Sequence, residues 1–435
     1  SDFIRMKVDC YLMHKNIPVL KLVMEDRIGI IIETKEILNV DHFPYCIQVT
    51  NNDFSFSKLS YWWSNRSIPN SRPLLRDVLR FCKLYSADQL IYRSNGLSLS
   101  DQYWICPTNS SLKWEEVNFF NNNFPYEFGY LMLGLYDIET TTKNFDLKTP
   151  NNTCDGVLPK TWKALGNRKL LIKGGKKCFY YQEPLNEVIA SMLMDKLSIP
   201  HVKYQLKYIK VDGMIIPFSY CECFITPETE LITENQFMMN SKIPDQMSHY
   251  QYYIDCCKNV GITNAQLRVD QMIVIDFLIA NSDRHTNNFG LIRNADNLKF
   301  VDIAPIYDNG NSLWYDSQDE WIPIAKDISK PFANRHYKQI KFVSNFDWLE
   351  LNKLEGFENE MKKIFDESPY ISQKRQEIIC ENFKKRIRLL QKYINERKKN
   401  PDYDPELDVE FNPGKEGISQ FEDDPENTFD PFANM

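Results

Sequence analysis

The sequence predicts an α+β chain in three parts. These are an N-terminal α/β domain over residues 1–140, a unit over residues 141–398 that begins with strands and ends mostly helical, and an acidic tail over residues 399–435. Three observations lead there. Residues 6 to 50 alternate apolar and polar side chains, the period of half-buried strands. Between residues 169 and 223 the pattern reads strand, helix, strand, strand. Long stretches of helical period follow at 264–280, 348–366 and 371–398.

In the first domain, two or three strands are expected from the alternation at Val8 to Leu12 and Val19 to Val23 and the β-branched cluster at Ile28 to Ile32. The aromatic stretch Tyr61 to Pro69 reads as turn-like, with Trp62 and Trp63 as core or interface side chains. Ser71 and Pro73 open a helix that carries Leu74, Leu75, Val78, Leu79 and Cys82 on one face. Residues 97 to 135, rich in Trp, Tyr and Phe, form short runs broken by Pro and Asn. The Asn/Thr/Lys-rich connector Thr140 to Thr153 marks the domain boundary.

Beyond it, Gly156 to Lys160 reads as a turn, and Lys169 to Lys173 as a strand ending in Gly174-Gly175. A helix from Pro184 carries Leu185, Val188, Ile189, Met192, Leu193 and Leu197, and Ile199-Pro200 ends it. Strands at Val202 to Ile209 and Met214 to Cys223 join through Asp212-Gly213, an order that lets Lys173 and Glu187 face each other. Thr263 and Gln266 make a capping-box signature for the helix 264–280. Its apolar segment, Met272 to Ala280, delivers the polar loop Asn281 to Gly290. A hairpin at Leu291 to Arg293 and Leu298 to Ile303 leads directly to Asp308. Past Asn400 the chain is acidic and Pro-punctuated and is expected to be disordered; its apolar spots at Phe411, Phe421 and Phe429 to Phe432 read as unbound spacer ahead of the alternative, docking on a partner or on the protein itself.

The net charge of −7 belongs to that tail: beyond residue 400 stand eleven Asp/Glu against one Lys, leaving residues 1–400 mildly positive. Direct nucleic-acid binding is therefore not expected. The eleven cysteines show no C-x-x-C and read as reduced thiols of a cytosolic protein, and the six scattered histidines show no zinc spacing. No apolar run approaches membrane-spanning length, the N-terminus has no signal-sequence pattern, and a start at Ser1 reads as trimmed. A soluble, cytoplasmic chain without membrane partners is expected.

The chemistry concentrates in a few polar residues. Asp283 and Asn288 lie five positions apart, and Asp308 follows twenty residues later before Asn309-Gly310. One carboxylate to orient a nucleophilic hydroxyl, with an amide and a second carboxylate as hard oxygen ligands for Mg²⁺, is the minimal equipment of phosphoryl transfer. Upstream, Gly156 lets backbone N–H groups approach phosphate oxygens, Lys173 can neutralise the α/β-phosphates, and Glu187 can hold that ammonium. Taken together these pieces follow the order of a kinase: glycine turn, lysine, helix glutamate, linker, catalytic loop, metal aspartate. The protein-kinase signature also places its metal-binding Asn five residues after the catalytic Asp. Taken singly, each residue has a plainer reading. Asp283, Asn288 and Asp308 suit turns, Lys173 a strand end, and Glu187 a solvated helix face.

At these positions the sequence resembles the HipA-type serine/threonine kinases and their shorter stand-alone relatives. Asp283, His285 and Asn288 match the family pattern D-x-H-x-x-N, and Pro305, Tyr307 and Asp308 its later metal-site context. Thr153, Gly156 and Lys160 match its phosphate loop, Lys173 and Glu187 its ATP lysine and helix glutamate, and Glu222-Cys223-Phe224 its adenine linker. The resemblance covers about residues 150 to 395 and implies a two-lobed, protein-kinase-like fold. It implies ATP and Mg²⁺ as cofactors, with Gly156, Val157, Lys160, Glu222, Phe224 and His285 around the nucleotide. His285 either contacts ATP or braces the catalytic loop. It also implies self-phosphorylation at Thr153, a translation-related protein substrate, a growth-arrest role and a small antitoxin-like partner. Asp155 departs from the pattern by placing a negative charge beside the phosphate loop. The expectation is an ATP- and Mg²⁺-dependent Ser/Thr protein kinase. Its rivals are a lipid or small-molecule kinase of the same fold and a nucleotide-binding pseudokinase scaffold.

Overall fold

A computed structural model describes residues 6–136 and 144–412. The fold mixes helices and sheets throughout. The N-terminal part is built on four antiparallel strands: β1 Lys7–His14, β2 Ile17–Glu25, β3 Ile30–Ile37, and, after a small ladder of β4 Val49–Thr50 with β5 Asp53–Phe54, β6 Tyr103–Pro107. Their order is β3-β2-β1-β6. Inward-facing Cys10, Leu12, Leu20, Leu22 and Met24 pack against helix α1 Phe56–Ser64. The expected turn at Tyr61 to Pro69 is thus half helix. Ser55 accepts a hydrogen bond from the Lys58 N–H at 3.3 Å, and Leu59, Trp62 and Trp63 at i, i+3 and i+4 form a buried face. Three short helices, α2 Leu75–Phe81, α3 Ala87–Arg93 and α4 Trp114–Val117, precede α5 Glu127–Met132.

Residues 137–143 of the expected connector lie outside the described residues, but its end does not hang free. Pro150–Thr153 form a buried 3₁₀ turn whose Asn152 amide donates to the Leu90 carbonyl at 2.8 Å. The expected turn Gly156 to Lys160 runs straight into a strand that the sequence pattern does not mark, β7 Lys160–Leu165, whose alternation is blurred by Trp162 and two lysines. It pairs with β8 Arg168–Lys173. Helix α6 Gln182–Lys196 follows, then β9 Gln205–Val211 and β10 Met214–Glu222, joined by a turn with positive φ at Asp212 and Gly213. The sheet order is β7-β8-β10-β9, antiparallel throughout, with α6 against β10 and β9.

The larger, mostly helical part hangs on helix α9 Ala265–Ile279, which is buried without a break from Val269 to Ile279, its Asp270 and Asp276 included. Its expected capping box does not form: the helix starts one residue later, with Asn264 at the cap and the Asn264 amide turned to Asp302 at 3.2 Å. A three-stranded sheet in the order β11-β12-β13 holds β11 Thr229–Thr233, β12 Gly290–Asn294 and β13 Phe300–Ile303. Helix α7 Glu234–Met238 lies against β11 and β12, while α8 His249–Asn259 and α10 His336–Gln339 pack on α9. The expected helix 348–366 is shorter: Leu351–Leu354 form a 3₁₀ turn, Gly356 takes φ +75°, and α11 runs only over Phe357–Asp366. The long helix α12 spans Gln373–Lys399.

The tail departs furthest from expectation. Residues 401–412 pack on α10 and α12, with Phe411 in the main core and Asp404, Glu406 and Asp408 paired to Lys341, Lys338 and Lys392. An acidic stretch opposite a lysine-bearing surface gains partners that its composition does not show. Phe421 and Phe429 to Phe432 lie outside the described residues. All eleven cysteines are free, and no helix among the described residues is long and apolar enough to cross a membrane.

Candidate active site

Three segments meet where β8 ends: the start of α6, the loop after α9, and the loop after β13. Lys173, the last residue of β8, is buried, and its ammonium bonds both the Glu187 carboxylate on α6 and the Asp308 carboxylate. Burial opposes the charge on Lys173, but Asp308 and Glu187 outweigh it and the pKa rises above the ordinary lysine value. Burial would likewise raise Asp308; Lys173, Lys160 and His285 reverse this and hold the carboxylate well below its ordinary range. The second Glu187 oxygen accepts the Asn309 N–H at 2.8 Å. Asp308 itself takes φ +59°, and the phenol of Tyr204 accepts its N–H at 3.4 Å.

The loop after α9 is set by a buried hub. Arg284 is 0% exposed, and its guanidinium pairs with Asp276 of α9 through two bonds of 3.0 and 2.9 Å. It donates further to the carbonyls of Asn288 (3.2 Å), Tyr307 and Asp308 (3.4 Å) and to the Asn309 side chain at 2.6 Å. One side chain thereby ties the Asp283–Asn288 loop to the Asp308 loop. Asn281 donates to Asp276 at 3.0 Å and accepts the Asp283 N–H at 3.0 Å, so the Asp283 backbone is fixed from the same acid.

Asp283 remains open to solvent, with its side chain 34% exposed. One oxygen accepts from Lys330 at 3.0 Å and the other from the Asn311 amide at 3.1 Å. The Asn288 amide nitrogen donates to the Asp283 carbonyl at 3.0 Å. His285 accepts the Asn287 N–H at 3.3 Å, a bracing contact within the loop.

The glycine loop lies under the N-terminal part. Gly156 takes φ +95°, and the Lys160 ammonium fills the space that a Cβ at 156 would need. Lys160 is buried, which lowers its pKa, while the charge of Asp308 partly offsets this. Val157 is 41% exposed. The Asp155 carboxylate accepts the Gly156 N–H at 2.6 Å, so that backbone amide is already taken. Thr153 is turned away: its hydroxyl donates to the Leu97 carbonyl at 2.8 Å and is 8% exposed. In the linker, Glu222 is exposed and pairs with Arg168, the Cys223 N–H is taken by the Lys169 carbonyl at 2.8 Å, and Phe224 packs 5.4 Å from the Tyr307 ring. A cavity of about 380 Å³ lies beside this linker between Glu222, Phe224, His201 and Pro305, and Lys173, Asp283 and Asp308 do not line it.

The structure therefore brings Lys173, Glu187, Lys160 and Asp308 into one polar centre, and Arg284 ties the loop of Asp283 and Asn288 to the Asp308 segment. Thr153 and the Glu222 side chain stand apart from it. Sequence reading missed Asp276, Asn311, Lys330 and Arg72, and gave Arg284 no specific partner. Asp276 had a signal, a charge inside the run Val274-Ile275-Asp276-Phe277-Leu278 that an apolar helix does not bury without a partner. Among the described residues no group of three His, Cys, Asp or Glu side chains is placed to hold a metal ion.

No protein-family model and no curated protein matches the sequence. Solved structures do. A Helicobacter pylori proinflammatory kinase, CtkA, is similar at 18% identity and a TM-score of 0.42, over 55% of this chain and 95% of that one. A chain from the Shewanella oneidensis MR-1 toxin–antitoxin complex of HipA, HipB and operator DNA is similar at 13% identity and a TM-score of 0.49, over 87% of this chain and 95% of that one.

Proposed function

We propose that the chain is an ATP- and Mg²⁺-dependent kinase of the HipA-like kind that transfers phosphate to a protein Ser or Thr hydroxyl. One observation carries this reading: Lys173 is bonded at once to a helix glutamate and to an aspartate that Arg284 links to the Asp283–Asn288 loop. A lysine–glutamate pair beside a metal-binding aspartate is the arrangement kinases require before phosphoryl transfer.

The residues fit the implied groups. Asp308 is held ionised and Asn288 offers an amide oxygen, two hard ligands of the kind Mg²⁺ takes alongside water and phosphate oxygens. Bound Mg-ATP would supply the transferable phosphoryl group. Lys173 is positioned to neutralise phosphate charge, with Glu187 keeping its ammonium in place. Asp283 is exposed enough to accept or orient the proton of an incoming hydroxyl, and Asn311 and Lys330 fix its two oxygens. Lys330, beside that carboxylate, brings positive charge to where a transferred phosphoryl group would carry negative charge. A translation-related substrate and a small antitoxin-like partner follow from the sequence resemblance and await phosphoproteomics and co-purification.

Transfer of labelled phosphate from ATP to lysate protein tests the proposal, with wild type beside Asp283→Asn and Asp308→Asn. Loss of about 100-fold or more in rate is expected for each, with Mg²⁺ required. Wild-type turnover in either variant would sink the assignment, and acceptance by phosphoinositides instead of protein would move it to a lipid kinase.

A further inference from the structure

Arg72 lies in the N-terminal part, just ahead of α2, and is 3% exposed. Its guanidinium reaches across to the glycine loop. It bonds the Gly156 carbonyl through Nε at 2.9 Å and Nη2 at 2.7 Å, and the Cys154 carbonyl through Nη2. No carboxylate among the described residues pairs with it, and burial pulls its pKa below the ordinary arginine value. Burying a guanidinium against carbonyls alone is costly, so the contact must set something that weaker anchors would not.

What it sets follows from peptide planarity. In a trans peptide the carbonyl of one residue and the N–H of the next point in opposite directions. With the Cys154 and Gly156 carbonyls turned onto Arg72, the N–H groups of Asp155 and Val157 point away from it. Neither of those amides has a hydrogen-bond partner among the described residues, whereas the intervening Gly156 N–H is already held by Asp155. Two alternate amides facing one way, beside the buried Lys160 ammonium, make a concave anion cradle.

We infer that Arg72 is a positioning residue of the nucleotide site, aiming the Asp155 and Val157 N–H groups at phosphate oxygens from outside the catalytic unit. The inference rests on reading residues 153–160 as the phosphate-binding loop. It makes the N-terminal part a component of that site. It also explains how the loop manages without the usual run of glycines: an external clamp fixes the peptide planes that glycine would otherwise leave to the ligand.

Calorimetric titration of the full chain with Mg-ATP, Mg-ADP and adenosine tests it in wild type, Arg72→Ala and Arg72→Lys. Adenosine carries the base but no phosphate, so a clamp on the phosphate amides should not affect it. Arg72→Ala should weaken ATP and ADP by about 10- to 100-fold and leave adenosine unchanged. Arg72→Lys should fall between, because an ammonium cannot span two carbonyls as a planar fork does. If Arg72→Ala does not fold, the lysine variant carries the comparison. Variants that bind ATP as wild type does, or lose adenosine and ATP in equal measure, overturn the role of Arg72. Wild type that binds neither ligand overturns the nucleotide reading, and this inference with it.

Discussion

Arg284 and Asp276 form a bidentate ion pair that no solvent reaches, with side chains 0% and 1% exposed. The pair stands at the end of α9, and the remaining Arg284 donors hold both polar loops of the candidate site. Breaking it from one side leaves a buried charge without a partner. Arg284→Met and Asp276→Asn should each lower unfolding free energy by about 3–5 kcal/mol, read from denaturant melts. The double variant should be less unstable than the sum, since no lone charge remains. Arg284→Lys should not rescue, because one ammonium cannot replace five donors in a plane. Additive losses in the double variant would show that the pair is not the hub its geometry indicates.

How much of this could be read from the chain depends on the distance over which each residue acts. Lys173, Glu187, Asp283, Asn288 and Asp308 are legible because a strand-end lysine, a helix glutamate and polar loop residues in that fixed order form a chemically unusual pattern. Their partners did not. Lys330 meets Asp283 across 47 residues and Arg72 meets Gly156 across 84, and neither contact leaves a local pattern. Strand β7 was hidden for a related reason: its register is set by pairing with β8, while its own alternation is weak. The tail reversed the usual inference from composition, because the acidic stretch lies against Lys338, Lys341 and Lys392. Charge that disfavours folding in isolation is neutral when the facing surface carries the opposite sign.

Thr153 bears on self-regulation. Its hydroxyl is sealed against the Leu97 carbonyl, so phosphate there needs residues 150–156 to leave their packed position. We predict that prolonged incubation with Mg-ATP leaves Thr153 largely unmodified in the packed state, as mass spectrometry would show. Thr153→Glu, by forcing a charge into that buried place, should lower the melting temperature and weaken ATP binding together. Thr153→Ala should cost only about 1 kcal/mol, one hydrogen bond. Stoichiometric phosphate on Thr153 in a fully folded chain would contradict the closed packing.

Glu183, at the start of α6, gives the molecule a pH dependence near neutrality. Burial raises its pKa from the ordinary 4.5 to about 7, and hydrogen bonds from its own backbone and from the Lys176 N–H offset only part of that. The folded chain therefore holds a proton that the unfolded chain has released between these two values. Stability contributed by this group is present below the unfolded pKa and falls as pH rises through about 7. Glu183→Gln keeps the shape and an acceptor for Lys176 while removing the titration. Urea melts on either side of neutrality should converge for that variant and diverge for wild type. An identical pH slope in both would place the titrating group elsewhere.

The docked tail tests whether packing or charge holds residues 401–412 in place. Four ion pairs hold the segment: Lys338–Glu406 at 3.2 Å, Lys341–Asp404 at 3.0 Å, and Lys392 with Asp408 at 2.6 Å and Glu410 at 3.1 Å. Apart from Asp408, these side chains are about a third or more exposed, so each pair contributes at most about 1 kcal/mol and is screened by salt. Phe411 is different. It is 6% exposed, sits in the main core and meets the Tyr393 ring at 6.5 Å. Removing such a side chain costs about 3–5 kcal/mol through lost burial and the cavity left behind. Phe411→Ala should therefore destabilise the chain more than replacing Asp404, Glu406 and Glu410 together by their amides. Molar salt should reproduce the charge variant and leave the Phe411 effect intact. If salt alone detached the segment, as proteolysis after Lys399 would report, the lysine-bearing surface would be its true anchor and Phe411 a passenger.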